Sequence, residues 1–295
     1  MSKVLVENEF GRVELYELAQ GLQALSFVHQ TGQGSVSLYG GQVLSWQPKN
    51  QQPVFWLSKD SQYSVGKAIR GGVPICWPWF GGEVKLANGN IEKASNHGFA
   101  RQSQWQLVDL KLLSSGVEIT LSLAGDKFAR QWPTAFELRQ KLHFGASFQQ
   151  TLTIKNLSPG AVEYSAALHS YFCVSAVENS KIPALNKLSF DDKLNGQGLQ
   201  KSGLNNCSGP MDRIYHSSDS MVIVDEKWQR KIAVTSQNCQ QWVLWNPGEV
   251  AQTMADIHVQ GESEFICLEA ANSQWQKIAG HSSVSIGQTV KVAVN

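Results

Sequence analysis

Along the chain, apolar residues fall at alternate positions or in short runs, and Gly, Pro, Asn and Gln separate them. A period of two predicts strands, since a helix face would need apolar residues at every third or fourth position. Strands are expected over 11–19, 24–29, 35–38, 43–46 and 54–57, and again over 104–110, 116–123, 136–144 and 148–154. Asn156-Leu157-Ser158-Pro159-Gly160 has the residues of a tight turn, which predicts that 148–154 folds back on 162–174 as a hairpin. From 175 to 208 the alternation dissolves into polar, Gly- and Asn-rich sequence, read as a long excursion covering the site. Strands return over 221–224, 231–235, 241–245, 264–270 and 289–294, and neither a convincing amphipathic helix nor an internal repeat interrupts them. The expected fold is all-β, a large antiparallel β-sandwich. It is expected to be one domain over 1–295, because no Pro/Ser-rich linker or charge run divides the chain.

Charge excludes more than it identifies. Lys plus Arg number 25 against 24 for Asp plus Glu, a net charge of +1, so the chain offers no field for nucleic acid or an anionic membrane and any anion site must be local. Its opening segment carries charges throughout without the apolar run of a signal peptide, and no run is long enough to span a bilayer, so a soluble, cytoplasmic monomer is expected. The five cysteines, at 76, 173, 207, 239 and 267, form no Cys-x-x-Cys pair and have no histidine at ligand spacing. They read as reduced thiols buried as small hydrophobes, and Cys76 has no evident neighbour to activate it.

The stretch from 68 to 101 holds the candidate chemistry. Arg70 precedes the Gly71-Gly72 pair, which lets the backbone turn or approach a ligand closely, while Pro74 and Pro78 exclude a helix around Ile75, Cys76 and Trp77. Asn96, His97 and Arg101 follow, an amide, an imidazole and a guanidinium suited to an anionic, hydroxyl-rich small molecule. Further on, strand alternation sets His169 on one face with Ala167, Tyr171 and Cys173, and sets Glu269 beside Phe265 and Cys267. A carboxylate on an apolar face costs free energy unless it is paired or used.

AIRGGVPICWPWFG at 68–81 and NHGFAR at 96–101, followed in order by LHSYF at 168–172, MDRIY at 211–215, WNP at 245–247 and CLE at 267–269, resemble the blocks of one family. It is that of the glucose-6-phosphate 1-epimerases, the hexose-6-phosphate mutarotases of the galactose-mutarotase superfamily. The resemblance implies a two-sheet supersandwich with the site in the cleft of one sheet. It implies interconversion of the α and β anomers of a hexose-6-phosphate, with Glu269 as base, His169 as acid and no cofactor or metal. It also implies Arg70 and Arg101 at the phosphate, Asn96 and Asp212 on the sugar, and His97 close to it. Such a pair is expected to start with His169 protonated and Glu269 ionised, with Asp212 helping to keep the imidazolium charged. Trp77 and Trp79 either stack on the sugar or pack in the core.

Two positions depart from the family pattern. Ala270-Ala271-Asn272 stands where a Pro-Gly is usual, so a differently routed loop is expected after Glu269, and Cys173 stands where an asparagine is common. Two other readings stay open: an epimerase of neutral aldoses, for which Arg70 would be dispensable, and a non-catalytic sugar-phosphate-binding protein on the same fold.

Overall fold

A computed structural model describes residues 2–86, 88–186, 188–199, 204 and 206–294. As the period of two requires, strands dominate, and the ladders of the large sheets run antiparallel. A five-stranded meander comes first, Lys3–Asn8, Gly11–Ala19, Leu22–His29, Gly32–Ser37 and Val43–Pro48. A second sheet, of eight strands, carries Ser283–Val294 between Arg230–Gln237 and Phe148–Asn156, with Phe136–Gly145 and Gly116–Gly125 beyond. The third has Phe265–Ile278 at its middle, flanked by Gln241–Asn246 on one side and by Val162–Leu168 and Tyr171–Cys173 on the other.

One core cluster draws on all three sheets, with Trp46, Phe148 and Leu168 among its buried members. Each such side chain contributes ~1.5–3 kcal/mol when removed from water. Alternation in the third sheet then creates two faces. Leu168, Phe172, Leu244, Leu268 and Ala270 join the core, whereas Ala167, Val243, Cys267 and Ala271 lie on the opposite face, where the site forms.

Several sequence expectations need correction. The turn at 156–160 exists, held by Ser158 N–H donating to Asn156 Oδ1 (2.9 Å), but it does not close a hairpin. Phe148–Asn156 pairs with Phe136–Gly145 and Ser283–Val294, while Val162–Leu168 crosses into the third sheet and pairs with Phe265–Ile278. Turn residues fix a change of direction, and the partner is chosen by which apolar face must be covered. Residues 54–57 form no ladder; Phe55 and Leu57 make isolated bridges to Phe172 and Gly71. No loop follows Glu269, because the strand runs on through Ala270, Ala271 and Asn272 to Ile278. The excursion at 175–208 contains the short strands Ser180–Lys181, Ser189–Asp192 and Gly196–Leu199, while 187, 200–203 and 205 lie outside the described residues.

Candidate active site

The third sheet builds the floor. Glu269 follows Cys267 on the site face and is 1% exposed, and His169 lies where the chain breaks between Val162–Leu168 and Tyr171–Cys173. Their side chains meet, His169 Nε2 standing 3.3 Å from Glu269 Oε1. The imidazole stacks on the Tyr171 ring at 4.8 Å and 8°, and Trp245 and His97 meet it edge-on at 6.1 and 5.7 Å. Glu269 Oε2 and His169 Nδ1 are buried without a hydrogen-bond partner among the described residues.

A cavity of about 360 Å³ opens over this pair, within the range of small-molecule sites. Arg70, Asn96, His97, Arg101, His169, Asp212 and Glu269 all border it. Gly71 and Gly72 deliver Arg70: both have positive φ, and a Cβ on Gly72 would stand 2.0 Å from the Val43 carbonyl oxygen. The Arg70 guanidinium is already engaged. Its Nε and Nη2 each lie 3.0 Å from Asp256 Oδ2, and Nη1 donates to the Tyr171 hydroxyl at 3.0 Å. Arg101 differs, donating from Nη2 to the Asn96 carbonyl at 2.9 Å, while its Nε is buried without a partner and no carboxylate pairs with it among the described residues. His97 takes a left-handed backbone (φ 65°), and its Nδ1 accepts from Gly81 N–H at 3.2 Å. Asp212 is a strand residue, opposite Trp245 in the ladder between Met211–Tyr215 and Gln241–Asn246.

Burial and charge set the protonation states. The Glu269 carboxyl is pushed well above the usual carboxylate range, first by burial and then by Asp212, against the opposing effects of Lys193 and Arg101. Burial first, then His97, Arg101 and Arg70, holds the His169 imidazole well below its ordinary value. These directions run against the expectation of a protonated His169 beside an ionised Glu269: in the free site burial favours the neutral form of each group. Asp212 acts on Glu269 and not, as expected, on the imidazole.

Some contributors had little sequence signal. Lys193 borders the cavity from the turn between Ser189–Asp192 and Gly196–Leu199, with Nζ 3.9 Å from Asp212 Oδ1 and 4.7 Å above the Phe80 ring. Its backbone is fixed because Lys193 N–H donates to the Asp212 carbonyl at 2.9 Å. Tyr171 already stands on the His169 face by period two, and Trp245 could have been found by its place in the WNP block; Asp256 had no such marker. Trp77 and Trp79 are buried in the core and pack there, leaving Phe80, Tyr171 and Trp245 as the aromatic walls. Cys76 is fully buried, and burial raises its thiol far above the ordinary value, so it stays inert. Among the described residues, no group of three or more His, Cys, Asp or Glu side chains could hold a metal ion, and no helix is long and apolar enough to cross a membrane.

Residues 23–286 match the sequence profile of the Aldose 1-epimerase family. The chain belongs to the aldose 1-epimerase family. Over 271 residues it is 33% identical to an Escherichia coli K12 protein named "Putative glucose-6-phosphate 1-epimerase", covering 90% of this chain and 88% of that one. A Salmonella typhimurium protein of the same name is 32% identical over the same shares of the two chains. A crystal structure of a Salmonella typhimurium protein, described as "a putative mutarotase (YeaD)", superposes with a TM-score of 0.88 at 29% identity, covering 100% of this chain and 97% of that one.

For this aldose 1-epimerase family member, the neutral pair makes a pH prediction. Anomer exchange by a paired acid and base requires one proton between the two groups, so for such a reaction kcat/KM should be flat around neutral pH, with its acid limb below the ordinary histidine value of 6.5. Nitrogen-15 NMR of the His169 ring should show a neutral imidazole at pH 6.5 and beyond; titration centred at or above that value would contradict the neutral pair.

Proposed function

We propose that the protein interconverts the α and β anomers of hexose-6-phosphates, glucose-6-phosphate in particular, by general base and general acid catalysis. The observation that carries this reading is the buried His169–Glu269 contact of 3.3 Å on the floor of a cavity whose rim holds Arg101, a guanidinium without a carboxylate partner among the described residues. The names of the Escherichia coli and Salmonella relatives support the same substrate class.

The chemistry asks little beyond this pair. As substrate enters, its phosphate offsets Arg101 and Arg70, two of the charges that depress the imidazole, and favours transfer of the shared proton from Glu269 to His169. Glu269 then takes the proton of the anomeric hydroxyl while His169 gives one to the ring oxygen. The C1–O5 bond breaks, C1 becomes an aldehyde and rotates, and closure on its other face returns both protons. Each positioned acid or base is worth ~10²–10⁴ in rate. Arg101 and Lys193 take the phosphate, Arg70 adds the two N–H groups not held by Asp256 and Tyr171, and Asn96, His97 and Asp212 meet the hydroxyls. One observation favours a neutral aldose instead: Asp256 already offsets the Arg70 charge.

Two-dimensional NMR exchange spectroscopy separates the readings. Catalytic amounts of protein should strengthen the α/β exchange cross-peaks of glucose-6-phosphate well above those of glucose. Equal acceleration of both sugars would make the substrate a neutral aldose, and acceleration of neither would leave a binding protein.

A further inference from the structure

A line of buried amides runs through an otherwise apolar layer of the core and ends next to the catalytic histidine. Gln140, Gln150 and Gln288 are each 3% exposed or less, on strands whose other inward residues include Leu138, Leu142, Leu152, Ile154, Ile286 and Val290. Gln150 faces Gln288 directly across its ladder, and Gln140 lies two residues from Leu142, the partner of Gln150. The hydrogen bonds are continuous. Gln140 Nε2 donates to the Gly41 carbonyl (2.6 Å), Gln150 Nε2 to Gln140 Oε1 (2.6 Å) and Gln288 Nε2 to Gln150 Oε1 (2.8 Å).

The Gly41 carbonyl can only accept, so it fixes the sense of every amide in the line. Gln140 must present its NH₂ to Gly41 and its oxygen to Gln150, and the same order passes to Gln288. The Gln288 amide meets the Ser170 hydroxyl with both its atoms: the hydroxyl donates to Gln288 Oε1 at 3.0 Å and accepts from Gln288 Nε2 at 2.9 Å. Ser170 is fully buried and sits at the break beside His169. There the backbone abandons the ladder, with Ser170 N–H turning back to the Leu168 carbonyl (2.9 Å) and His169 N–H donating to Pro74 (3.0 Å). Leucines in place of the amides would fill the layer but would take the hydrogen bonds of the line from the buried Gly41 carbonyl and Ser170 hydroxyl, so the line serves the polar groups at its two ends as well as packing.

We propose that the Gln140–Gln150–Gln288–Ser170 line is a positioning device that holds the break at 169–170 so that His169 Nε2 faces Glu269. Ser170 and the glutamines touch neither cavity nor substrate; they act through the histidine. The kinetic arm of the test rests on the proposed epimerase activity, and the spectroscopic arm does not.

Ser170→Ala removes one hydroxyl and leaves the Gln288 oxygen unpaired; Gln288→Met keeps volume and breaks the line one step further back. In both variants kcat for glucose-6-phosphate should fall ~10–100-fold, as misplacement of a catalytic group does, with KM within about twofold. The nitrogen-15 signals of the His169 ring should shift or broaden in the free protein, a readout that needs no turnover. A lowered Tm with unchanged kcat and unchanged ring signals would make the line structural only and overturn the proposal. Should wild type show no epimerase activity, the ring signals of the folded variants decide alone.

Discussion

Glu269→Gln is expected to slow anomer exchange of glucose-6-phosphate by ~10²–10⁴-fold, the contribution of one positioned acid-base group. Affinity for the sugar phosphate should hold within about threefold, since the amide keeps the shape of the carboxyl and loses only the capacity to exchange a proton. Stability separates this reading from misfolding, and its sign follows from the raised pKa. Burial lifts the folded-state value well above the 4.5 of the free group, so the carboxyl's contribution to stability is fully present below 4.5 and is lost as pH rises toward the folded value. Glutamine mimics the neutral acid at every pH. Relative to wild type, the variant should therefore gain stability as pH rises from about 4 to about 8. A variant that loses stability over that range would mean that Glu269 is ionised and paired in the folded protein. Full activity would remove Glu269 from the reaction altogether.

The parts of the fold that follow from local alternation were legible. Period two gave the strands near Glu269 and His169 and the faces they present: Cys267 and Glu269 do lie opposite Leu268 and Ala270, and Tyr171 opposite Phe172. Pairing was not legible, since the turn at 156–160 looks the same whether the chain returns to its own sheet or crosses to another. The residues singled out for the site converge on one cavity, though charge states could not be foreseen from residue types. His169 reads as an ordinary titrating histidine until it is buried against Tyr171 and feels the charges of Arg101 and Arg70. Lys193 escaped for a related reason, because a lysine in a polar excursion carries no sign that its turn is bonded to the Asp212 backbone. Arg70 and Arg101 look equivalent in sequence, and Asp256, far along the chain, makes them different.

That difference sets the second large effect, the loss of phosphate selectivity in Arg101→Ala. Arg101 has a buried Nε without a partner and no carboxylate to offset its charge among the described residues, whereas Arg70 spends Nε and one Nη2 hydrogen on Asp256. Charge-assisted hydrogen bonds contribute ~1.5–3 kcal/mol each, so two lost bonds correspond to ~10²–10⁴ in kcat/KM for glucose-6-phosphate. Glucose turnover should change little, and the ratio of the two rates should collapse. Arg101→Lys keeps the charge but not the fork of parallel donors, and should fall between wild type and the alanine variant. The same guanidinium also helps hold the His169 imidazole below its ordinary value, so its removal should move the acid limb of kcat/KM upward, toward 6.5. A selectivity ratio unchanged in Arg101→Ala but lost in Lys193→Ala would shift the phosphate seat to the turn after Ser189–Asp192; unchanged in both, it would leave Arg70 as the residue that reads the phosphate.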